Sequence, residues 1–248
     1  MQPMTRILSL ETSTDRGGFA LWSGSVSTDG VQTDLCECFV CPAGQPHAET
    51  LLPAVRTALT TLGWAMDTLD AITFDTGPGM FTGLRVSAAI AQGLAVALDK
   101  PLVPVSSLQV LAEAASEASG ATHVLSLLDA RMNQIYAGYW FREGEVWHSG
   151  GEACLVNPSA LGALPYTVSA GMHIAGTALD EYPDAAAWCT AQQLIDTQIR
   201  YPSPEALARL GAMGFVAGAA VDPAEALPVY VRDRVALTTA ERAAGEVL

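Results

Sequence analysis

The chain has 248 residues, half of them hydrophobic, and carries a net charge of −14 with a pI near 4.5. That length can bury a sizeable core as one large domain or two small ones. The charge makes the chain a poor nucleic-acid binder on its own, because phosphate contacts need clustered Lys and Arg. Lys100 is the only lysine among twelve basic residues. No apolar run is read as reaching the roughly 18 residues of a membrane helix. Residues 1–6 lead into a strand with no apolar leader, so the expected location is the cytoplasm, with no membrane partner.

In chain order, residues 6–10 read as a buried strand and 11–18 (Glu-Thr-Ser-Thr-Asp-Arg-Gly-Gly) as a polar turn. Residues 18–22 return as a second strand, and 31–41 form a third. A helix over 50–62 follows, with Leu51, Leu52, Val55, Leu59 and Leu62 at helical spacing. Residues 71–75 form a strand, 82–98 a helix and 101–105 a further strand. The order βββαβαβ predicts parallel pairing of the later strands through right-handed crossovers. A second unit opens with a helix over 107–119, a strand over 123–129 and a hairpin from 134–141 and 145–148. The pattern over 150–197 is weak, with a short helix near Asn157-Pro158-Ser159 and a strand end at 173–176. Ser203 and Pro204 open a helix reaching about Ala219, with Ser203 as N-cap. An apolar extended tail covers 227–232. Two related α/β lobes are expected, over 1–105 and 106–248.

The stretch Asp75-Thr-Gly-Pro-Gly-Met-Phe-Thr-Gly-Leu-Arg85 organises the chain as strand, tight glycine loop and helix. Gly77, Gly79 and Gly83 permit backbone approaches that a Cβ forbids, and Pro78 fixes its φ. Two readings stand. The loop aims amides at an anion above the helix N-terminus, or it is a turn that lets elements approach closely. It is neither a Walker A loop nor a dinucleotide fingerprint. Cys36, Cys38, Cys41, Cys154 and Cys189 do not make a disulfide framework. Cys36 and Cys38 share one face of a strand with Val40, as buried or half-buried thiols rather than a zinc knuckle. His47 reads as a helix cap or surface residue, and Asp129 with Arg131 as an ion pair.

Six short blocks resemble the TsaB (YeaZ) family of bacterial tRNA threonylcarbamoyladenosine synthesis: 7–14, 47–53, 77–85, 104–108, 129–132 and 228–232. Residues 77–85 are the most specific of them, although Met80 stands where the family has Ser. The resemblance implies an α/β, actin-like (ASKHA) fold of two ribonuclease-H-like lobes, sharing descent with the catalytic subunit TsaD. It places a TsaD-type His-x-x-x-His metal pair at Ser107 and Leu111, neither of which replaces an imidazole ligand. It implies a non-catalytic partner of TsaD, working with TsaE and TsaC. The modification falls on adenosine 37 of tRNAs reading ANN codons, and the tRNA is held mainly by the partners. ATP and metal are expected on the partner and no cofactor in this chain. By the same resemblance, Glu11, Thr12, Ser13, Asp15, Gly77 and Gly79 are a vestigial nucleotide site, or residues that satisfy their own turn. The partner and homodimer face maps to Leu51, Leu52, Val55, Arg85, Ala88, Ala89, Ala91 and Gln92. In the helix over 82–98, the small stripe Gly83, Ser87, Ala91, Ala95 is expected to admit a partner's helix or else to pack against the chain's own first helix, and Val86, Ile90, Leu94 to pack on the sheet. The alternatives are an ASKHA-class ATPase using Glu11, Asp15 and the glycine loop, and a peptidase, against which the missing His motifs argue.

Overall fold

The computed structural model describes residues 4–27, 30–42 and 44–232. The last stretch of the expected second lobe, 233–248, and the first three residues lie outside the described part.

Strand β1 (Thr5–Glu11) is central in the first sheet. It pairs antiparallel with β2 (Gly18–Ser27), which pairs antiparallel with β3 (Gly30–Val40). On its other side β1 runs parallel to β4 (Ala71–Gly77), and β4 to β5 (Leu102–Ser106). The order is β3-β2-β1-β4-β5. Helices α1 (His47–Leu62) and α2 (Phe81–Leu98) supply the crossovers. Pro53 lies inside α1. Its φ suits a helix, but its missing N–H and its ring remove one backbone hydrogen bond of α1 at this seventh position, and α1 begins three residues earlier than its leucine spacing suggests.

The second sheet repeats this plan. After α3 (Ser107–Ser119) come β6 (His123–Asp129), β7 (Ile135–Glu143) and β8 (Val146–Ser149), all antiparallel neighbours. β10 (His173–Ala175) lies parallel to β6, and β11 (Ile195–Asp196) parallel to β10. β9 (Cys154–Val156) pairs with the start of β7. The short helices α4 (Ala178–Glu181) and α5 (Pro183–Ala191) complete the stretch whose pattern was weak. Its elements are of two to nine residues, too short to show a period.

Three apolar clusters hold the layers together. One lies between β1, β2, β4 and β5 of the first sheet and α1 with α2, around Leu8, Leu10, Phe19, Leu51, Phe74 and Ala91. A second, on the far side of the second sheet, centres on Leu125, Leu127, Ile135 and Ala185. The largest joins the sheets through α3 and α6 (Pro204–Val216), with Ile7, Trp22, Val105, Leu111, Leu128, Leu207 and Leu210. Ser203 caps α6 by accepting from the Ala206 amide, as its sequence signature predicts. Helix α6 ends at Val216, short of Ala219, and lies across β1, β2, β4 and β5. An element numbered with the second lobe thus completes the first. The tail follows it there, as Val221 bridges Leu102 and the Val229 amide donates to Thr76 O, before Arg232 crosses to the β6–β7 turn of the second sheet at Ala130 O and Gln134 Oε1.

Helix α2 corrects two expectations. Its 18 residues and mean hydropathy of 1.4 are long and apolar enough, by length and composition, for a membrane span, where no such stretch is expected from the sequence. It packs on β4, and the small stripe Gly83, Ser87, Ala91, Ala95 faces the protein with Leu84 and Ala88. Val86, Ile90 and Leu94 are only half-buried, on the outer flank. The orientation is inverted because Gly83 sits against Thr12 O, where a Cβ would stand 1.9 Å away, and this turns Leu84, Ala88 and Ala91 inward.

The candidate site at the glycine loop and the outer face of the first lobe

Parallel pairing of Leu10 with Phe74 sets the ends of β1 and β4 side by side. This brings Glu11, Thr12 and Ser13 against Asp75 and the glycine loop. Glu11 and Asp75 are both fully buried. Glu11 Oε1 accepts from the Ser13 amide at 2.8 Å and from its hydroxyl. Asp75 Oδ1 accepts from the Thr12 amide at 3.1 Å. Glu11 Oε2 and Asp75 Oδ2 have no hydrogen-bond partner. Burial raises both carboxyls, and the charge of Asp75 raises Glu11 further. Asp75 is pushed up to about 7, even though Ser87, the Thr12 amide and Ser107 hold it down. At neutral pH this pair therefore retains protons that exposed carboxylates would lose. Asp75 opens the loop stretch but had been given no role; a carboxylate ending a buried strand beside another strand's Glu was the available signal.

The loop closes over this pair. The Met80 amide donates to Ser13 O at 2.7 Å, and Thr12 Oγ1 donates to Gly83 O at 2.7 Å. A Cβ on Gly83 would stand 1.9 Å from Thr12 O, and one on Gly79 2.4 Å from Ser13 O. Gly77 has a φ of 101° and precedes a cis Pro78. The glycines thus seat the strand-one turn directly on the start of α2. Of the two readings, close approach within the chain is the one these distances satisfy. His47 opens α1 with its ring against Gly17, and its buried Nδ1 has no hydrogen-bond partner.

Asp15 is exposed and separate from that buried cluster. With Ser13, Thr14 and Met80 it lines a cleft of about 240 Å³ between the lobes, faced by Asp129, Arg131, Thr177, Asp180 and Glu181. Arg131 pairs with Asp129 at 3.1 Å, as expected, and Tyr182 donates to the same carboxylate at 2.7 Å. Residues 131–133 carry φ values of 59°, 57° and 55° in succession. Arg232 reaches this strained turn from the tail, at Ala130 O, Arg131 O and Met132 Sδ. Among the described residues, no group of three or more His, Cys, Asp or Glu side chains converges for a metal.

The eight residues mapped to a partner face divide into three sets. Leu51, Val55, Ala88 and Ala91 are buried in the chain's own core, so the mapping is corrected at those positions. The reason is helical phase: they occupy the stripes of α1 and α2 that meet the sheet. Leu52, Arg85 and Ala89 are exposed. Gln92 is half-buried and donates to Pro223 O and Ala226 O of the tail. Between α1 and α2, Phe81, Val86, Ala89 and Ile90 line an open, mainly apolar groove with Ala48, Thr82 and Arg85. The Arg85 guanidinium stacks 3.9 Å over the Phe81 ring and donates to Tyr230 Oη.

Two sheets with the same strand plan, joined through helices and facing each other across a cleft, define the actin-like (ASKHA) class of ribonuclease-H-like lobes. Comparison with known proteins narrows this. The family described as TsaD, tRNA N6-adenosine threonylcarbamoyltransferase, matches residues 41–214. The tRNA threonylcarbamoyladenosine biosynthesis protein TsaB of Escherichia coli K12 is 33% identical over 93% of this chain and 96% of its own length. The protein of the same name from Haemophilus influenzae is 39% identical over 58% of this chain and 56% of its own. The solved structure of YeaZ from Pseudomonas aeruginosa is 31% identical, covers 91% of this chain and 99% of that one, and superposes with a TM-score of 0.73. A second Pseudomonas aeruginosa structure, described as similar to peptidase YEAZ, gives 0.78 over 92% and 100%, also at 31% identity. The chain belongs to the TsaB family.

Proposed function

We propose that this chain is the accessory partner of a TsaD-type threonylcarbamoyltransferase in forming threonylcarbamoyladenosine at adenosine 37 of tRNAs reading ANN codons. The observation that carries the reading is the near full-length match to a TsaB protein. In this proposal the chain is catalytically silent. The glycine loop supports that part: it is seated on Thr12 and Ser13, and the Met80 amide already has a partner within the chain. Glu11, Thr12, Ser13, Gly77 and Gly79 then act as a structural joint descended from a nucleotide site, with ATP and metal on the partner. TsaD docks on the outer face of α1 and α2 through Leu52, Arg85 and Ala89, with Phe81, Val86 and Ile90 adding apolar area. A homodimer uses the same face in the absence of TsaD. TsaE joins the assembly, TsaC supplies the activated threonylcarbamoyl group, and the partners' basic surfaces hold the tRNA, since this chain carries −14. The setting is cytoplasmic.

An omission assay tests the proposal. TsaC, TsaD and TsaE, substrate tRNA, threonine, bicarbonate and Mg-ATP are incubated with and without the chain, and modified adenosine is counted by mass spectrometry. Modification that requires the chain, with no ATP turnover by the chain alone, is the expected result. Unchanged modification in its absence rejects the accessory role. Magnesium-dependent ATP hydrolysis by the isolated chain rejects its silence. Ala89→Arg is expected to weaken co-elution with TsaD at least tenfold without lowering the melting temperature.

A further inference from the structure

Strand β3 is an edge of the first sheet, paired only with β2. The register shifts between Ser23, which faces Leu35, and Gly24, which faces Thr33, so Asp34 is left as an unpaired bulge. Beyond it, residues 35–40 form a regular edge with one row of backbone N–H and C=O groups free. No proline or lysine guards this stretch, and its one charged side chain is Glu37. Cys36 is exposed, which corrects the expectation of a covered thiol, while Cys38 is half-buried. Side chains of a strand alternate between its faces. Leu35, Glu37 and Phe39 stand opposite Ser23, Leu21 and Phe19 of β2, on the face that packs towards α1. Helix α1 packs mainly on β2, and a groove of about 470 Å³ stays open between the helix and the edge. Phe19, Phe39, Ala54, Ala58 and Leu62 wall it, and Glu37 is its one charged residue. Thr57 and Thr61 also line it, but their hydroxyls donate to carbonyls within α1.

We propose that this edge takes up a short extended segment of a partner protein, with a basic side chain flanked at alternate positions by apolar ones. The guest adds a strand to β3 through backbone hydrogen bonds, and every second side chain enters the groove. Its residues opposite Leu35 and Phe39 are apolar, because they meet Phe39 and the alanines of α1. The residue between them, opposite Glu37, is Lys or Arg. The bulge at Asp34 and the end of β3 at Val40 limit the guest to about five to seven residues. Charge selects this chemistry. Among the described residues, neither Asp34 nor Glu37 has an ion-pair partner. The chain as a whole carries −14, so an acidic segment is repelled and a basic one attracted. A second copy of the chain is disfavoured for the same reason, since antiparallel pairing of two such edges brings the two Glu37 side chains together. The groove shares no residue with the one between α1 and α2, so the inference does not rest on the docking of TsaD.

The probe is the peptide acetyl-Thr-Leu-Thr-Lys-Thr-Leu-Thr-amide, whose order reads the same in both strand directions. A twin carries Glu in place of Lys, and a third version is N-methylated at every backbone amide. Each is titrated into the intact chain, and amide hydrogen exchange is followed residue by residue by NMR. The lysine peptide is expected to slow exchange at residues 35–40 and to bind about tenfold tighter than the glutamate peptide at low salt. The difference shrinks in high salt. Glu37→Lys is expected to reverse the order of the two peptides while keeping the wild-type melting temperature, since Glu37 is exposed. Equal binding of the N-methylated peptide overturns strand addition. No slowing at residues 35–40 with the lysine peptide, or an unchanged peptide order in Glu37→Lys, overturns the proposal as a whole. So does protection of residues 35–40 that rises with protein concentration alone, which assigns the edge to a second copy.

Discussion

Glu11 and Asp75 place two carboxyl groups in the interior with one oxygen each left without a partner. Such burial is costly for the charged form, and protonation relieves it. The consequence is a pH dependence whose sign can be worked out. The unfolded chain releases the Asp75 proton near its ordinary value of 3.8, whereas the folded chain keeps it until about 7. Across that window the native state binds more protons, so stability is fully present below the window, falls as pH rises through it, and levels off above. Asp75→Asn keeps an acceptor for the Thr12 amide and removes the titration. Urea unfolding at pH 8 is expected to show this variant about 4 kcal/mol more stable than the wild type, with the two converging near pH 4. Parallel curves for the two proteins across this range would show that Asp75 ionises freely in the fold.

Helix α2 shows what a periodic pattern reveals and what it leaves out. Spacing of apolar and small residues located the helix almost to the residue, yet the inward face was assigned to Val86, Ile90 and Leu94. Size decides the matter. Gly83 must sit against Thr12 O, which fixes the rotation of the whole helix and turns Ala91 inward. That contact spans 71 positions in sequence, so nothing within the helix signals it. The strand-one turn and the glycine loop were each legible as motifs for the same reason that their union was not. Short-range spacing reports local conformation, while the parallel β1–β4 register that joins them is a tertiary fact. Two glycines of α2 test the point. Gly83→Ala is expected to cost about 3 kcal/mol, because its Cβ meets backbone. Gly93→Ala, whose Cβ meets open space, is expected to add roughly 1 kcal/mol through helix propensity. Equal effects in thermal unfolding would contradict the close approach. Face assignment gives a second test: Ala91→Glu, burying a charge, is expected to unfold the first lobe in circular dichroism, whereas Ala89→Glu leaves its melting temperature within a few degrees.

At the scale of the molecule, two lobes could be foreseen from the repeated order of strands and helices, but not the way they are tied. Helix α6 and the tail return to the first sheet, and a buried charge cluster pins α6 to the second. Glu113 of α3, with a side chain 1% exposed, accepts from Arg209 Nε of α6 at 2.6 Å and from Trp147 Nε1 of β8 at 2.6 Å. Arg142 of β7 lies 3.8 Å from Glu113 and bonds Glu145 at 2.6 Å; Arg209 reaches that same Glu145 at 3.0 Å and Val31 O of β3 at 3.5 Å. No spacing in the sequence announces partners 96 residues apart. Glu117 also lies 3.9 Å from Arg209, so three carboxylates face two guanidinium groups, but only Glu113 is shared by both arginines and the indole, and removing it alone leaves those donors without their shared acceptor. Glu113→Ala is expected to cost about 3–5 kcal/mol. Removing the charges together with shape-matched apolar residues, as in Glu113→Leu with Arg142→Met and Arg209→Met, is expected to recover most of that loss, because the desolvation of the ions disappears with them. Hydrogen exchange separates a general loss of stability from a loss of the tie. If the cluster holds the lobes at a fixed angle, Glu113→Gln speeds exchange first in α6 and in β8, before β1 and β4 respond. Uniform acceleration across both sheets would mean that the cluster stabilises the fold without setting how its halves meet.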